Sequence, residues 1–177
     1  MQGVCTKLMV IRHAEKPDKV GGTSGVTKTG IVDRAELTVK GWQRAGALVR
    51  FFNPPLGENL RPGIAVPGAI FAAPPTHEHP SKRPVHTVTP LAIELDLKIR
   101  KDFAVGREAA LIVAAQDVAS VVLICWHHGR IPKLLSELGV EIAAWADDVF
   151  DRVLVLDRAG DGWTLSVIQQ HLLPGDS

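Results

Sequence analysis

The chain has 177 residues, of which 46% are apolar and 20 basic against 19 acidic, so it can build a sizeable core. So balanced a charge points to no nucleic-acid partner and no membrane surface, and any cationic site must be a local cluster. No run approaches the ~20 apolar residues of a membrane span, and the run after Lys7 is broken by Arg12 too early for a signal peptide. Cys5 and Cys125 lie in apolar, strand-like contexts without CxxC spacing, which reads as reduced thiols in a cytoplasmic protein.

In chain order, Lys7–Ile11 reads as a short buried strand that stops at Arg12–His13. Residues 18–34 show no sustained period and form a long loop at the strand's C-terminal end, a place where loops are often functional. A helix follows in LTVKGWQRAGALVRFF, with Leu37, Trp42, Ala45, Leu48, Val49 and Phe52 at helical spacing and Thr38 as its N-cap. NPPLGENLRPG supplies turn chemistry, and GAIFAA (Gly68–Ala73) is a second strand that runs into the polar loop PPTHEHPSK. RPVHTVTPLAIEL is a helix with Pro84 in its first turn, which Pro90 must bend or shorten. GREAALIVAAQDV is a third helix, and SVVLICW (Ser120–Trp126) is the most apolar strand and the expected centre of the sheet. A helix from about Arg130 to Leu138 follows His127–His128–Gly129, and FDRVLVLDRAGDGWTLSVIQQHLL reads as two strands around a GDG turn.

Strands alternating with helices imply parallel βαβ units. The expectation is one domain over residues 1–177, a three-layer α/β/α sandwich with a mostly parallel central sheet and a C-terminal β-hairpin at one edge.

Ligands of open α/β sheets bind beyond the carboxyl ends of the strands. Those ends carry Arg12–His13, then His77-Glu-His79 with Lys82–Arg83, then His127–His128, and with His86 they hold six of the seven histidines. Arginine forks at such ends match the oxygens of phosphate and stay charged at any working pH. A neutral histidine beside them can attack phosphorus if its Nδ1–H is tied to a carbonyl and Nε2 is free. A phosphohistidine would split hydrolysis into two easier transfers, with the arginines and a second histidine stabilising the equatorial oxygens. A rival is a zinc site built from His77, His79, His127 and His128 with Glu78 as base, although two arginines beside a divalent cation would repel it. A third reading is a domain that binds phosphate or a phosphoprotein without turnover. His86, His171, Trp126 and Trp145 read as packing residues, His86 and Trp126 and Trp145 with a possible place at the pocket border.

LMVIRHAEKP resembles the RHG/RHxE signature of the histidine phosphatase (phosphoglycerate mutase-like) superfamily, with Ala14 where glycine is usual. LTVKGWQRAGAL resembles that superfamily's L-T-x-x-G-x-x-Q-A helix, and SKRPVHTVTPLA its second-arginine segment, with His86–Thr87 at the usual Gln–Thr pair. VVLICWHHGRIPKLL resembles the strand and loop that deliver a second catalytic histidine. The four segments fall in the superfamily's order from about Lys7 to the hairpin. The resemblance implies a phosphatase, with a mutase disfavoured by the short chain. It makes His13 the nucleophile and Arg12 and Arg83 the phosphate clamps. The second histidine is His127 by counting back from Ile131–Pro132 and His128 by the His–Gly step, and His128 is preferred. No motif selects a general acid among Glu15, Glu78, Asp102 and Glu108, and Glu15 suits a loop organiser better than an acid. Glu15, Lys16, Glu78 and Lys82 are expected at the substrate rim. The expected partner is a small phosphorylated substrate or a phosphoprotein, with no cofactor and no metal, and the sequence sets no oligomeric state.

Overall fold

The structure, a computed structural model, describes residues 4–18, 20 and 22–176. Its strands are β1 (Lys7–Arg12), β2 (Ala69–Ala72), β3 (Ile99–Arg100), β4 (Val121–Trp126), β5 (Arg152–Ala159) and β6 (Gly162–Gln169). They form one sheet in the order β3-β2-β4-β1-β5-β6. The pairs β2–β3, β2–β4 and β1–β4 are parallel, whereas β5 runs antiparallel to β1 and β6 antiparallel to β5. Among the described residues four α-helices flank the sheet: α1 (Val39–Phe52), α2 (Arg83–Glu94), α3 (Glu108–Val118) and α4 (Ile131–Ser136).

Side-chain alternation along the strands makes the layers. On one face Leu8 and Val10 of β1 and Val122 and Ile124 of β4 pack with Leu111 of α3 and Leu134 of α4. On the other, Met9 and Ile11 of β1 and Leu123 of β4 pack with Leu48 of α1 and Val88 and Leu91 of α2. Strands covered on both faces read as continuous apolar runs, which is why LMVI and VVLIC carry no alternation. The result is the expected α/β/α sandwich, with β4 inside the sheet and the β5–β6 hairpin at one edge. Both cysteines are buried free thiols, and Trp126 and Trp145 are buried in the core. No helix among the described residues is long and apolar enough to cross a membrane.

Three local features depart from the sequence expectation. β3 has only two residues, too short for a periodic signal. Helix α2 runs past Pro90 to Glu94 and is not shortened by it. The helix after β4 is shorter than expected, since His128–Arg130 forms a 3₁₀ turn and only Ile131–Ser136 is α-helical. At the hairpin, a two-residue loop joins the Ala159↔Gly162 pair, and Gly160 supplies the positive φ of 58° that the turn needs.

Register positions the site. Arg12 pairs with Trp126 across β1 and β4, and the His13 N–H donates to the Trp126 carbonyl at 3.1 Å. The residues that follow, His13 and His127, therefore leave the sheet side by side.

Candidate active site

His13 is 2% exposed, and its Nδ1 lies 2.8 Å from the Ala14 carbonyl oxygen. A carbonyl only accepts, so Nδ1 carries the proton and Nε2 keeps its lone pair. Burial above all holds the imidazole well below the usual histidine range, with Arg83, Arg12 and His127 pushing the same way. The His127 ring stands 5.5 Å from that of His13, edge-on. Burial first, then Arg83, His79, His128 and Arg12, lower His127 to about 4. Both imidazoles are therefore neutral at pH 7.

Arg12 and Arg83 bring positive charge to the same place. Burial lowers Arg12 to about 10, partly offset by Asp147, so it remains a cation at neutral pH. Arg12 Nη1 donates to the carbonyls of Ala146, Asp147 and Val149 at 2.9–3.1 Å, and its guanidinium lies 3.8 Å from the Phe150 ring centroid. Arg83 sits at the first position of α2, and its Nη1 donates to the Arg34 carbonyl at 3.0 Å. Among the described residues, Arg12 Nε, Arg83 Nε, His127 Nε2 and Ser81 Oγ, together with Gln169 Oε1 at the end of β6, are buried without a hydrogen-bond partner. Each such group costs about 1–3 kcal/mol if it stays unpaired, and the nitrogens of Arg12, Arg83 and His127 are of the kind that an oxygen-rich ligand can satisfy. Ser81, Arg83 and His127 share a cleft of about 480 Å³ with Arg34, Glu78 and His79.

A second set of contacts holds the backbone of this site. The Ala14 N–H donates to Thr87 Oγ1 at 2.8 Å, and that hydroxyl donates to the Arg83 carbonyl, so α2 and the end of β1 are tied beside Arg83. Glu15 is nearly buried and takes Arg44 of α1 in a fork, with Nη2 at 2.8 Å and Nε at 3.1 Å from Oε1. The Glu15 carbonyl also accepts from the Thr38 N–H at 3.0 Å, while Thr38 Oγ1 caps α1 by accepting from the Gly41 N–H at 3.1 Å. At Gly41 an added Cβ would come within 2.6 Å of the Glu15 carbonyl oxygen, which is why the helix motif needs a glycine there. Glu15 is thus bound as an organiser of the loop after β1.

Arg44 extends this network to the C-terminal segment through Gln170 and both oxygens of Asp176. Burial disfavours the Asp176 carboxylate, but Arg44 and the Leu173 and Leu172 N–H groups outweigh it and hold Asp176 at about 2. A depressed carboxylate stabilises the fold above its unfolded value of 3.8 and loses that contribution as pH falls toward 2. We expect Asp176→Asn to lower stability at pH 7 by about 2 kcal/mol. That corresponds to roughly 4–8 °C in Tm, and thermal melts between pH 7 and 2 should show the gap between mutant and wild type closing below pH 4.

The remaining expected residues divide by position. Lys16 pairs with Asp147, and Lys82 with Asp33 and Glu36, so both cations sit on the rim in ion pairs. Of the four candidate acids, Glu15 is held by Arg44, Glu108 by Arg130 and the Trp126 indole, and Asp102 is exposed beyond β3. Glu78 alone of these four lines the cleft of His127 and Arg83. His86 donates Nδ1–H to Glu36 at 2.5 Å and stacks on Trp42, while His171 is exposed beyond the hairpin. His79 lies 6.2 Å from His127 between ring centroids, and His77 is exposed. Among the described residues no group of three or more His, Cys, Asp or Glu is arranged to hold a metal ion.

The His128 ring also stands edge-on to that of His13, 6.5 Å between centroids, but its nitrogens have partners of their own. Its Nδ1 is 3.3 Å from Arg12 Nη2 and its Nε2 is 3.0 Å from Asp147 Oδ1. Sequence reasoning passed over Ser81, Arg44 and Asp147. Arg44 had a signal: it shares the buried face of α1 with Gly41, Ala45 and Leu48, an odd place for a charge. Ser81 and Asp147 had none.

No family model matches the chain, and no curated protein does so by sequence. Solved structures do match in fold. The protein histidine phosphatase SixA complexed with tungstate has a TM-score of 0.57 at 13% identity, over 93% of this chain and 97% of that one. A histidine-to-alanine mutant of phosphoserine phosphatase from Entamoeba histolytica, in complex with phosphoserine, has a TM-score of 0.55 at 12% identity, over 95% of this chain and 99% of that one. A structure named mycobacterial hydrolase 2 has a TM-score of 0.56 at 13% identity, over 97% and 93%. At such identities the likeness is one of fold alone.

Proposed function

We propose that the chain is a metal-independent phosphatase that passes a phosphoryl group to His13 Nε2 and then to water. The observation that carries this reading is a buried, neutral His13 with Nδ1–H committed to a carbonyl, set beside buried Arg12, Arg83 and His127 nitrogens that lack partners. Fold likeness to phosphatases supports it.

In the first step the Nε2 lone pair forms a bond to phosphorus. The bond to the leaving oxygen breaks, and that oxygen takes up a proton from water or from Glu78, the one of the four candidate acids on the wall of the His127–Arg83 cleft. Charge on the equatorial oxygens is met by the Nε donors of Arg12 and Arg83 and by His127. In the second step a water oxygen bonds to phosphorus, the N–P electrons return to Nε2, and the proton consumed earlier is released. In this proposal His127, and not the His128 that the His–Gly step suggested, faces the phosphoryl group. Strand register sets His127 level with His13, whereas both ring nitrogens of His128 have protein partners. Around the cleft, Ala35 and Pro80 are the apolar members of an otherwise charged and polar lining, which suits a small polar leaving group.

The test is p-nitrophenol release from p-nitrophenyl phosphate with EDTA present. Turnover should persist in EDTA and be stopped by vanadate, which mimics the five-coordinate transition state. Activity lost to EDTA and restored by zinc would point to a metal hydrolase. Phosphate binding without turnover would point to a binding domain.

A further inference from the structure

The partnering of Arg12 goes beyond what a phosphate clamp alone requires. The Nη1 nitrogen meets the carbonyls of Ala146, Asp147 and Val149, the last of which also accepts from the Trp145 indole N–H at 2.9 Å. Phe150 closes one face of the guanidinium. The segment from Trp145 to Phe150 is therefore folded around one arginine that lies 134 residues earlier.

The side-chain contacts obey the same logic. Arginine has no lone pair to offer, so in the Arg12–His128 contact His128 Nδ1 must accept. A neutral imidazole that accepts at Nδ1 carries its proton on Nε2, and that N–H is 3.0 Å from Asp147 Oδ1. Asp147 thus selects the tautomer of His128 that can receive Arg12. Among the described residues the guanidinium bonds through Nη1 and Nη2, and Nε is left buried without a partner.

We propose that His128 and Asp147 are positioning residues for Arg12, holding its guanidinium by the Nη nitrogens so that the buried Nε is not spent on a protein acceptor and is kept for an oxyanion. The inference rests on the phosphatase reading of the site, but it concerns binding and is tested by binding. A group that only positions Arg12 needs an acceptor at the place of Nδ1, and the carboxamide oxygen of asparagine can supply one. A group that transfers a proton cannot be replaced this way.

Vanadate binding by calorimetry, alongside kcat and KM for p-nitrophenyl phosphate, reads the difference. His128→Ala should weaken vanadate about 10-fold and raise KM more than it lowers kcat, the scale of one lost charge-assisted hydrogen bond. His128→Asn should recover to within about 3-fold of wild type. Asp147→Ala, at a half-exposed position where folding is not at risk, should weaken vanadate roughly 5-fold, with Asp147→Asn in between. If His128→Asn is as impaired as His128→Ala, or if Asp147→Ala binds like wild type, the positioning role is wrong while the phosphatase reading stands. If the wild-type protein binds no vanadate, both fall together.

Discussion

His13→Ala should lower turnover of p-nitrophenyl phosphate by roughly 10⁴-fold or more, the scale of losing a nucleophile from a site whose binding groups remain. Rapid quenching of wild type with labelled substrate should trap a phosphoryl adduct that is stable to alkali and lost in acid, as a phosphoramidate is, and His13→Ala should show none. A variant that still forms the adduct would move the nucleophile elsewhere. The pH profile offers a second reading of the same group. Burial and the two arginines disfavour the imidazolium of His13, holding it well below 6.5. Its reactive neutral form therefore persists as pH falls through the range where an ordinary histidine protonates, and kcat/KM should not decline between pH 7.5 and 6 on account of His13.

The second large effect belongs to His127. Its Nε2 is buried without a partner and its ring lies 5.5 Å from that of His13. His127→Ala should cut kcat by roughly 10²–10³-fold, as expected for one donor aimed at developing charge. Because burial first, then Arg83 and the neighbouring histidines, lower His127 to about 4, it is neutral near pH 7, and any part it plays there is that of a hydrogen-bonding group. His127→Gln, which keeps an amide N–H near the place of Nε2, should regain part of the loss. His128→Ala should instead fall mainly on affinity. Steady-state kinetics of the two alanine variants side by side decide the matter: a collapse of kcat confined to His128→Ala would reverse the assignment.

The elements of the sheet were legible because their causes are local. LMVI and VVLIC are apolar without alternation since both faces are covered, and each ends where polar residues begin. Thr38 announced the start of α1, and the GDG turn announced the hairpin, through side-chain chemistry within a few residues. β3 escaped notice because two residues carry no period. The clustering of histidines and arginines at strand ends was equally open to inspection, as parallel strands must deliver their ends to one side of the sheet.

The partners of those end residues were not legible, because each depends on segments far away in the chain. Glu15 has its place only when α1 packs beside β1 and brings Arg44 from 29 residues on. Between two adjacent histidines, sequence spacing offers two alignments, and only the fold shows that both rings stand near His13, His127 at 5.5 Å and His128 at 6.5 Å, with different partners. The sequence by itself determined the sandwich, the strand ends and the residue types assembled there. Tertiary packing alone decided which nitrogens are already spent on carbonyls, carboxylates and each other, and which are buried with nothing yet to bind. That division follows from range: apolar patterning acts over a few residues, whereas a hydrogen-bond partner is a matter of which atoms the fold brings within about 3 Å.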